Sequence, residues 1–255
     1  MLVVMYHYIR DFDPNFPNFK NLTVDNFRRQ LDFLGHKYKF LTKESFLESI
    51  ETKSSISDGL VLTFDDGFKD HHANVLPILD DLNLWGLFYV ASGHYPRKRC
   101  LNVHKIHHLL GKYDAEELLE LGLGLVDVSM LHEDKISEFD REIYKDQKLS
   151  SSEYGFKRLF NYYLKDYYKT RLLDEVCKDY FDEQDIEDQG SIVGSHTATH
   201  PVLSTLSYED QYKEIGDSFS FLDSFLKMDV KSFCYPYGGR SSYNESTLDI
   251  LKDLG

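Results

Sequence analysis

Residues 59–67 have the sequence GLVLTFDDG, and this stretch decides the fold. The apolar run from Gly59 to Phe64 predicts a strand that is buried on both faces. Two carboxylates, Asp65 and Asp66, follow at the carboxyl end of the strand, and Gly67 favours a turn there. Because ligands of parallel α/β proteins bind at the carboxyl ends of strands, we expect one carboxylate to bind a metal and the other to transfer a proton.

The segments on either side of this strand alternate between strand and helix patterns. Such an alternation predicts parallel strands joined by right-handed crossovers. The predicted elements are a strand over Leu2–Tyr8, a helix over Val24–Tyr38 with Thr23 as its N-cap, a short strand at 40–41, helices over 43–50 and 70–82, and a strand over Gly86–Val90.

The pattern changes over about residues 96–189. This region has charged segments rich in Leu and Tyr at helical spacing, so it predicts a helical insertion within one domain of residues 1–255. Beyond it we expect a strand over Ser191–Val193, a helix over Tyr208–Leu226, a strand over Val230–Tyr235 and a last helix from Asn244.

Composition excludes several classes of protein. The 255-residue chain has a formal net charge of −14, which opposes binding to nucleic acid or to an anionic membrane surface. Cys100, Cys177 and Cys234 lie far apart, which argues against a disulfide framework and against a thiolate zinc site. The N-terminal MLVVMYHYIR lacks the basic and long apolar regions of a signal peptide or membrane span, so a cytoplasmic protein is expected. The oligomeric state is left open.

Two further polar segments each follow a predicted strand. Residues 194–201, GSHTATHP, contain His196 and His200 four positions apart, and we expect both imidazoles on one face of a helical turn, where they can reach one ion. Residues 233–239, FCYPYGG, run from a strand into a loop shaped by Pro and Gly. One carboxylate with two histidines leaves positions open for water and substrate, as a catalytic metal site requires.

In that order, TFDDG, HTATHP and FCYPYG resemble the motifs of the polysaccharide deacetylase family (carbohydrate esterase family 4, with the NodB-like domain). The resemblance covers residues 1–95 and 190–255. It implies an α/β fold with a distorted (β/α)7-type barrel. It also implies hydrolysis of an N-acetyl group on a sugar of a surface glycan or its precursor. One divalent metal is implied, with Zn favoured over Co, Mn, Ni or Fe.

The family resemblance also assigns roles to residues. Asp66, His196 and His200 would bind the metal, and Asp65 would act as the general base. Tyr237 would donate its backbone N–H to the oxyanion, and its neighbours in the loop would contact the substrate; these are Tyr235, Pro236 and Gly238.

Two positions depart from the usual family pattern. Cys234 stands where many members have an Arg that orients the base, so the resemblance leaves the orientation of Asp65 unexplained. Most members end with a Leu-x-His segment that supplies the general acid, and this chain has none. In circularly permuted relatives that strand is N-terminal, and Val4–Tyr8 resembles it, so His7 is the predicted general acid. The competing interpretation makes His7 a core histidine hydrogen-bonded to a backbone carbonyl.

The other histidines have simpler interpretations. His71 and His72 are expected to face solvent at a helix start, with a role in the substrate cleft as the alternative. His104, His107 and His108 are interpreted as structural residues of an Ile- and Leu-rich helix, because no carboxylate motif accompanies them. Two alternative functions are kept. One is a catalytically inactive protein of this fold that binds glycans, and the other is a metal-dependent amidase that acts on a non-sugar substrate.

Overall fold

Four parallel strands form the sheet of this protein, as seen in a computed structural model that describes residues 1–53, 59–93, 100–132, 144, 147–176, 192–226 and 231–255. The strands are β1 (Leu2–Tyr6), β2 (Leu60–Asp65), β3 (Gly86–Val90) and β4 (Ile192–Ser195). The α-helices are α1 (Val24–Lys37), α2 (Lys43–Glu51), α3 (Leu76–Asp81), α4 (Asn102–Lys112), α5 (Ala115–Leu125), α6 (Ser151–Arg158), α7 (Asp166–Val176), α8 (Tyr208–Phe225) and α9 (Glu245–Leu254).

The strands lie in the order β1-β2-β3-β4, and every neighbouring pair is parallel. All six residues of β2 are buried, as the apolar run predicts for a central strand. Because the strands are parallel, their carboxyl ends meet at one edge of the sheet. His7, Asp65 and His196 lie at the carboxyl ends of β1, β2 and β4, so three of the predicted functional segments share this edge.

The predicted strand over Val230–Tyr235 is the part of the sheet that differs most from expectation. Val230 lies outside the described residues, and the rest forms a single parallel bridge between Phe233 and Ser195. Pro236 cannot donate to a ladder and Tyr237 has a left-handed φ of 65°, so the extended segment ends there. A second parallel bridge, between Phe40 and Leu60, stands where a short strand is predicted at 40–41. The described residues therefore contain four strands and isolated bridges, fewer strands than the seven expected for the barrel.

An aromatic core lies between the sheet and α1. The ring of Phe64 stacks on Tyr6 at 5.7 Å and on Phe88 at 4.7 Å, while Phe27 of α1 meets Tyr6 edge-on at 5.0 Å. The predicted N-cap is confirmed, because Oγ1 of Thr23 accepts a hydrogen bond from the Asn26 amide at the start of α1. This packing fixes the central strand from which the acidic pair emerges.

The predicted helix over 70–82 is split into two parts. Residues His71–Val75 form a wide π-helical turn, and α3 begins at Leu76. Pro77 lies in the first turn of α3 and has no N–H, so a regular helical bond is missing where the two parts meet.

The region between β3 and β4 is helical where it is described, from α4 to α7, and has its own apolar core. Side chains of α4, α5 and α6 and of the π-helical turn Leu159–Tyr163 pack together there, among them Ile106, Leu109, Leu118, Phe156 and Phe160. Within the described ranges, no helix combines the length and apolar character that crossing a membrane requires.

Candidate metal centre

The acidic pair is shaped by the turn that follows β2. Asp66 and Gly67 both have left-handed backbone conformations, with φ of 78° and 69°. Both carboxylates are buried, with Asp65 3% and Asp66 2% exposed. A left-handed non-glycine residue costs about 1–3 kcal/mol and persists only where its surroundings impose it. Of the seven such residues in the described ranges, four belong to the three motifs: Asp66, Thr197, His200 and Tyr237.

The segment that contains both histidines is a loop, so the predicted helical turn is wrong. Thr197 and His200 have φ of 64° and 61°, and Pro201 disfavours a right-handed helix at the residue before it. The loop is held by Glu214 of α8, whose carboxylate accepts hydrogen bonds from the amides of Ala198 (3.1 Å) and Thr199 (2.8 Å) and from the Thr199 hydroxyl (2.8 Å). Both imidazoles nevertheless lie close to one carboxylate, that of Asp66.

Asp66, His196 and His200 converge on one point. The Nε2 atoms of both histidines lie 3.4 Å from Oδ1 of Asp66, and all three ligand atoms are within 4.8 Å of one another. Oδ1 is buried and has no hydrogen-bond partner among the described residues. Because Nδ1 of His196 donates to the Cys234 carbonyl at 2.8 Å, its Nε2 is left with a free lone pair. A buried carboxylate and two imidazoles arranged in this way fit a divalent cation.

A second group of possible ligands shares His196 and includes Asp65 and Cys234. The Cys234 thiol, however, donates a hydrogen bond to Oδ2 of Asp65 at 3.4 Å, and burial raises the pKa of this thiol. A cysteine ligand must be a thiolate. The group formed by Asp66, His196 and His200 is therefore the better metal site, since it needs no thiol deprotonation.

The pKa values of the two carboxylates in the acidic pair are shifted in opposite directions. Burial raises the pKa of Asp65, although the nearby imidazoles of His196 and His7 oppose the effect. Burial also acts to raise the pKa of Asp66, but the imidazoles of His104, His196 and His200 close to its carboxylate outweigh it and hold that pKa well below its usual range. Asp66 is thus suited to remain an anionic ligand, while Asp65 is the more basic of the two.

His7 lies directly beyond β1, at the edge of the sheet where Asp65 ends β2. Its backbone is anchored to the segment after the acidic pair. Nε2 of His71 donates to the His7 carbonyl at 2.9 Å, and Nδ2 of Asn74 donates to the Ile9 carbonyl at 2.7 Å. The half-buried His7 also lines a cavity of about 430 Å³ together with Tyr8 and other residues. Asp65, Asp66, His196 and His200 do not line this cavity, and the acid role of His7 stays a prediction.

The expectation that His71 faces solvent is wrong. His71 is only 3% exposed, because its ring packs in the core and donates a hydrogen bond to the His7 carbonyl. His72 is exposed, as expected. Among the described residues, it is therefore the ring of His71, and not that of His7, that is hydrogen-bonded to a backbone carbonyl in the core.

The loop of the third motif places Tyr237 beside the histidines. Its ring lies 4.9 Å from that of His200, and its hydroxyl donates to Oδ1 of Asn161 at 3.1 Å. The Tyr237 amide donates no hydrogen bond within the described part of the chain, so it is available to another acceptor. The Tyr235 ring instead stacks on Tyr243 at 4.3 Å, next to α9.

The remaining loop residues have different environments. Pro236 is buried, and Gly238 is exposed with a left-handed φ of 64° and open space around it. Of the three residues predicted to contact substrate, Gly238 is the exposed one.

His104 is the residue that the sequence interpretation missed. It lies on α4, is 4% exposed, and places Nε2 at 3.3 Å from Oδ2 of Asp66. The four-residue spacing of His104 and His108 is the same as in the second motif, but the carboxylate partner is 38 positions away in sequence. The other two histidines of α4 pack elsewhere: His107 is hydrogen-bonded to the Tyr8 hydroxyl at 3.0 Å, and His108 contacts the rings of Phe16 and Phe19.

The chain is similar to proteins of one known family in part of its sequence and in its fold. The family model described as polysaccharide deacetylase matches residues 177–255, which include the second and third motifs. The resemblance to this family is confirmed over these residues, and the first motif, at residues 63–67, lies outside the match. No curated protein matches the chain.

Solved structures show the same fold over the whole chain. The deacetylase PplD of Streptococcus pyogenes, in complex with acetate, is 20% identical with a TM-score of 0.55, and the match covers 100% of this chain and 80% of that one. IcaB of Ammonifex degensii is 16% identical with a TM-score of 0.55 and the same coverage. A de-N-acetylase of Aggregatibacter actinomycetemcomitans is 13% identical with a TM-score of 0.51, covering 100% and 84%. The α/β class with a NodB-type (β/α) barrel fold is thus confirmed. The predicted circular permutation stays a prediction.

Proposed function

We propose that this protein is a metal-dependent hydrolase that removes an N-acetyl group from a sugar of a surface glycan or its precursor. The observation that supports it most strongly is the convergence of Asp66, His196 and His200 on one point, with Asp65 adjacent. The match of residues 177–255 to the polysaccharide deacetylase model and the fold shared with solved deacetylases support the proposal.

The metal ligands of this proposal are Oδ1 of Asp66 and the Nε2 atoms of His196 and His200. A divalent cation, with Zn favoured, would act there as a Lewis acid that polarises the scissile carbonyl. It would also lower the pKa of a bound water to near neutral. Nδ1 of His196 donates to the Cys234 carbonyl, which fixes the ring so that Nε2 faces the site.

Asp65 is the general base in this proposal. Its Oδ2 accepts the hydrogen bond from Cys234, while Oδ1 is buried without a partner among the residues described. Oδ1 is therefore the oxygen that is free to accept the proton of the attacking water. Since burial raises the pKa of Asp65, the carboxylate is a stronger base than an exposed aspartate. Cys234 thus has the orienting role that an Arg has in many family members.

Tyr237 and His7 complete the proposed site. The Tyr237 amide would donate to the oxyanion that develops at the acyl carbon. His7 would protonate the departing sugar amine, because the amine is a poor leaving group until it accepts a proton. The anchoring of the His7 backbone by His71 fixes the position from which its ring acts.

The decisive experiment combines metal content with acetate release. We would measure bound metal in the parent protein and in Asp66→Ala, His196→Ala and the control His36→Ala, whose histidine is exposed on α1. Acetate release would be assayed on N-acetylated sugars with Zn²⁺, Co²⁺ or Mn²⁺. We expect about one equivalent of metal in the parent and the control, and loss of metal and of acetate release in both site variants.

Other results would select other functions. Bound metal without turnover on any substrate would favour the glycan-binding alternative. Turnover on non-sugar amides, without any on N-acetyl sugars, would favour the amidase. A parent protein that binds no metal even after loading would contradict the proposal.

A further inference from the structure

The imidazole of His104 approaches Asp66 from the side opposite to the other histidines. His104 is supplied by α4, between β3 and β4 and outside all three motifs. Its Nε2 lies 3.3 Å from Oδ2 of Asp66, whereas His196 and His200 both face Oδ1. Oδ1 of the buried Asp66 carboxylate therefore faces the two histidines of the second motif, and Oδ2 faces the histidine of α4.

The spacing of the ligand atoms argues against His104 as a fourth ligand. Asp66, His196 and His200 form a group whose ligand atoms all lie within 4.8 Å of one another, and His104 joins no such group among the described residues. An imidazole bound to the same ion would have to lie close to the other two nitrogens. Nε2 of His104 instead lies next to Oδ2 of Asp66, the oxygen that does not face His196 and His200. This is the position of a hydrogen-bond donor to the carboxylate.

The position of the His104 ring is fixed by packing. The ring centroid lies 4.7 Å from that of Phe68, two residues after Asp66, and 6.3 Å from that of Tyr8. The side chain is 5% exposed, its Nε2 makes no hydrogen bond of regular geometry in the described part of the chain, and Oδ2 of Asp66 lies 3.3 Å from it. A buried imidazole nitrogen without another partner costs free energy unless it donates to this carboxylate.

We propose that His104 is a positioning residue whose Nε2–H donates to Oδ2 of Asp66 and thereby presents Oδ1 to the metal. This inference rests on the proposed function, because it assigns the metal to Oδ1. It makes the helical region between β3 and β4 part of the metal site. Hydrogen bonds from outside the ligand set orient metal-binding carboxylates, and their loss typically lowers metal affinity by about 10–100-fold.

The test compares His104→Leu, which removes the donor, with His104→Gln, which keeps an N–H donor of similar reach. The control is His108→Leu, one turn further along α4, where the side chain packs on Phe16 and Phe19. The dissociation constant of Zn²⁺ is measured by competition with a chromophoric chelator. Thermal unfolding in the presence of EDTA shows whether each variant folds.

We expect His104→Leu to raise the zinc dissociation constant by about 10–100-fold, with most of the loss recovered in His104→Gln and none in the control. An unchanged constant in His104→Leu would overturn the positioning role. Equal loss in both variants, with a changed Co²⁺ absorption spectrum, would overturn it in favour of direct ligation. If His104→Leu does not fold, His104→Asn serves in its place, because its amide is too short to reach Oδ2.

The failure of this inference is distinguishable from failure of the proposed function. A parent protein that binds zinc but releases no acetate contradicts the proposed reaction and leaves the His104 measurement valid. Normal acetate release with an unchanged zinc constant in His104→Leu contradicts only the role of His104. A parent protein that binds no zinc contradicts both.

Discussion

The Cys234 thiol donates a hydrogen bond to Oδ2 of Asp65 at 3.4 Å, although the two residues are 169 positions apart. The contact is possible because Phe233 forms a bridge with Ser195, which places the third motif beside β4. A neutral thiol is a weaker donor than a guanidinium, so it holds the carboxylate without adding a positive charge that would lower its basicity.

Replacing Cys234 tests this contact. In Cys234→Ala, Oδ2 of Asp65 loses its partner, and a hydrogen bond to a charged group contributes about 1.5–3 kcal/mol, less for a thiol. We expect kcat to fall about 5–30-fold, with most activity retained in Cys234→Ser. Because the hydrogen bond lowers the pKa of Asp65, its loss should shift the acidic limb of the kcat/KM profile to higher pH. Zinc affinity serves as the control and should be unchanged; equal activity of the two variants would exclude an orienting role.

Glu214 of α8 offers a second test, because its carboxylate accepts hydrogen bonds from the loop between His196 and His200. Glu214→Ala removes the three hydrogen bonds that the Glu214 carboxylate accepts from Ala198 and Thr199, and leaves the bond from the Ala198 amide to the Glu214 backbone carbonyl. The left-handed residues of this loop thus lose part of the contacts that impose their conformation. We expect zinc affinity to fall about 10–100-fold. The control is Asp217→Ala, an exposed residue of the same helix. A Glu214→Ala variant that binds zinc like the parent would show that the loop keeps its shape without this carboxylate.

Much of the sheet could be predicted from the sequence because it depends on local patterns. The apolar run before Asp65 gave β2 within one residue at each end, and β3 was predicted over the same residues that form it. Thr23 marks the start of α1 by hydrogen-bond chemistry that any N-cap threonine can supply. These features depend on residues close in sequence, which is why the motifs could be placed on the edge of a parallel sheet.

The parts that were missed depend on contacts between distant residues. A spacing of four positions fits a helix, but the loop from His196 to His200 reaches the same result through left-handed residues held by Glu214. The role of His104 required knowing that α4 packs over Asp66, which no local pattern shows. His71 faces the core because the His7 carbonyl is nearby in space.

His71 should make folding stability depend on pH. Burial lowers the pKa of His71 from the usual 6.5 to about 4, although the hydrogen bond to the His7 carbonyl partly opposes the shift. Between these values the unfolded chain binds a proton that the folded protein does not. The contribution of His71 to the free energy of unfolding is therefore fully present above pH 6.5, and it falls by roughly 3 kcal/mol as the pH decreases towards 4.

The measurement is urea unfolding of the parent and of His71→Gln between pH 7.5 and 4.5, with EDTA present so that metal release does not contribute. Glutamine keeps an N–H donor but does not titrate. We expect a smaller loss of stability in His71→Gln as the pH falls, and the difference between the two proteins cancels the other titrating groups. Parallel curves would show that His71 is protonated equally in both states.

Gly93 allows the backbone after β3 to pass close to the loop of the second motif. Its amide donates to the Ala198 carbonyl at 2.6 Å, and a Cβ at this position would lie 2.6 Å from the same oxygen. The obstacle is backbone, so Gly93→Ala must displace the loop that contains His196 and His200. We expect it to destabilise the protein by about 1–3 kcal/mol and to weaken zinc binding as well.

The matched control for this glycine is Gly124→Ala in α5, where an added Cβ meets nothing within 4 Å. Alanine is favoured over glycine within a helix by about 1 kcal/mol, so this variant should be slightly more stable and bind zinc like the parent. Urea unfolding and chelator competition on both variants give the two quantities. If Gly93→Ala lost stability but kept full zinc affinity, the position of the histidine loop would not depend on its contact with Gly93, and the hydrogen bonds to Glu214 would be sufficient to hold it.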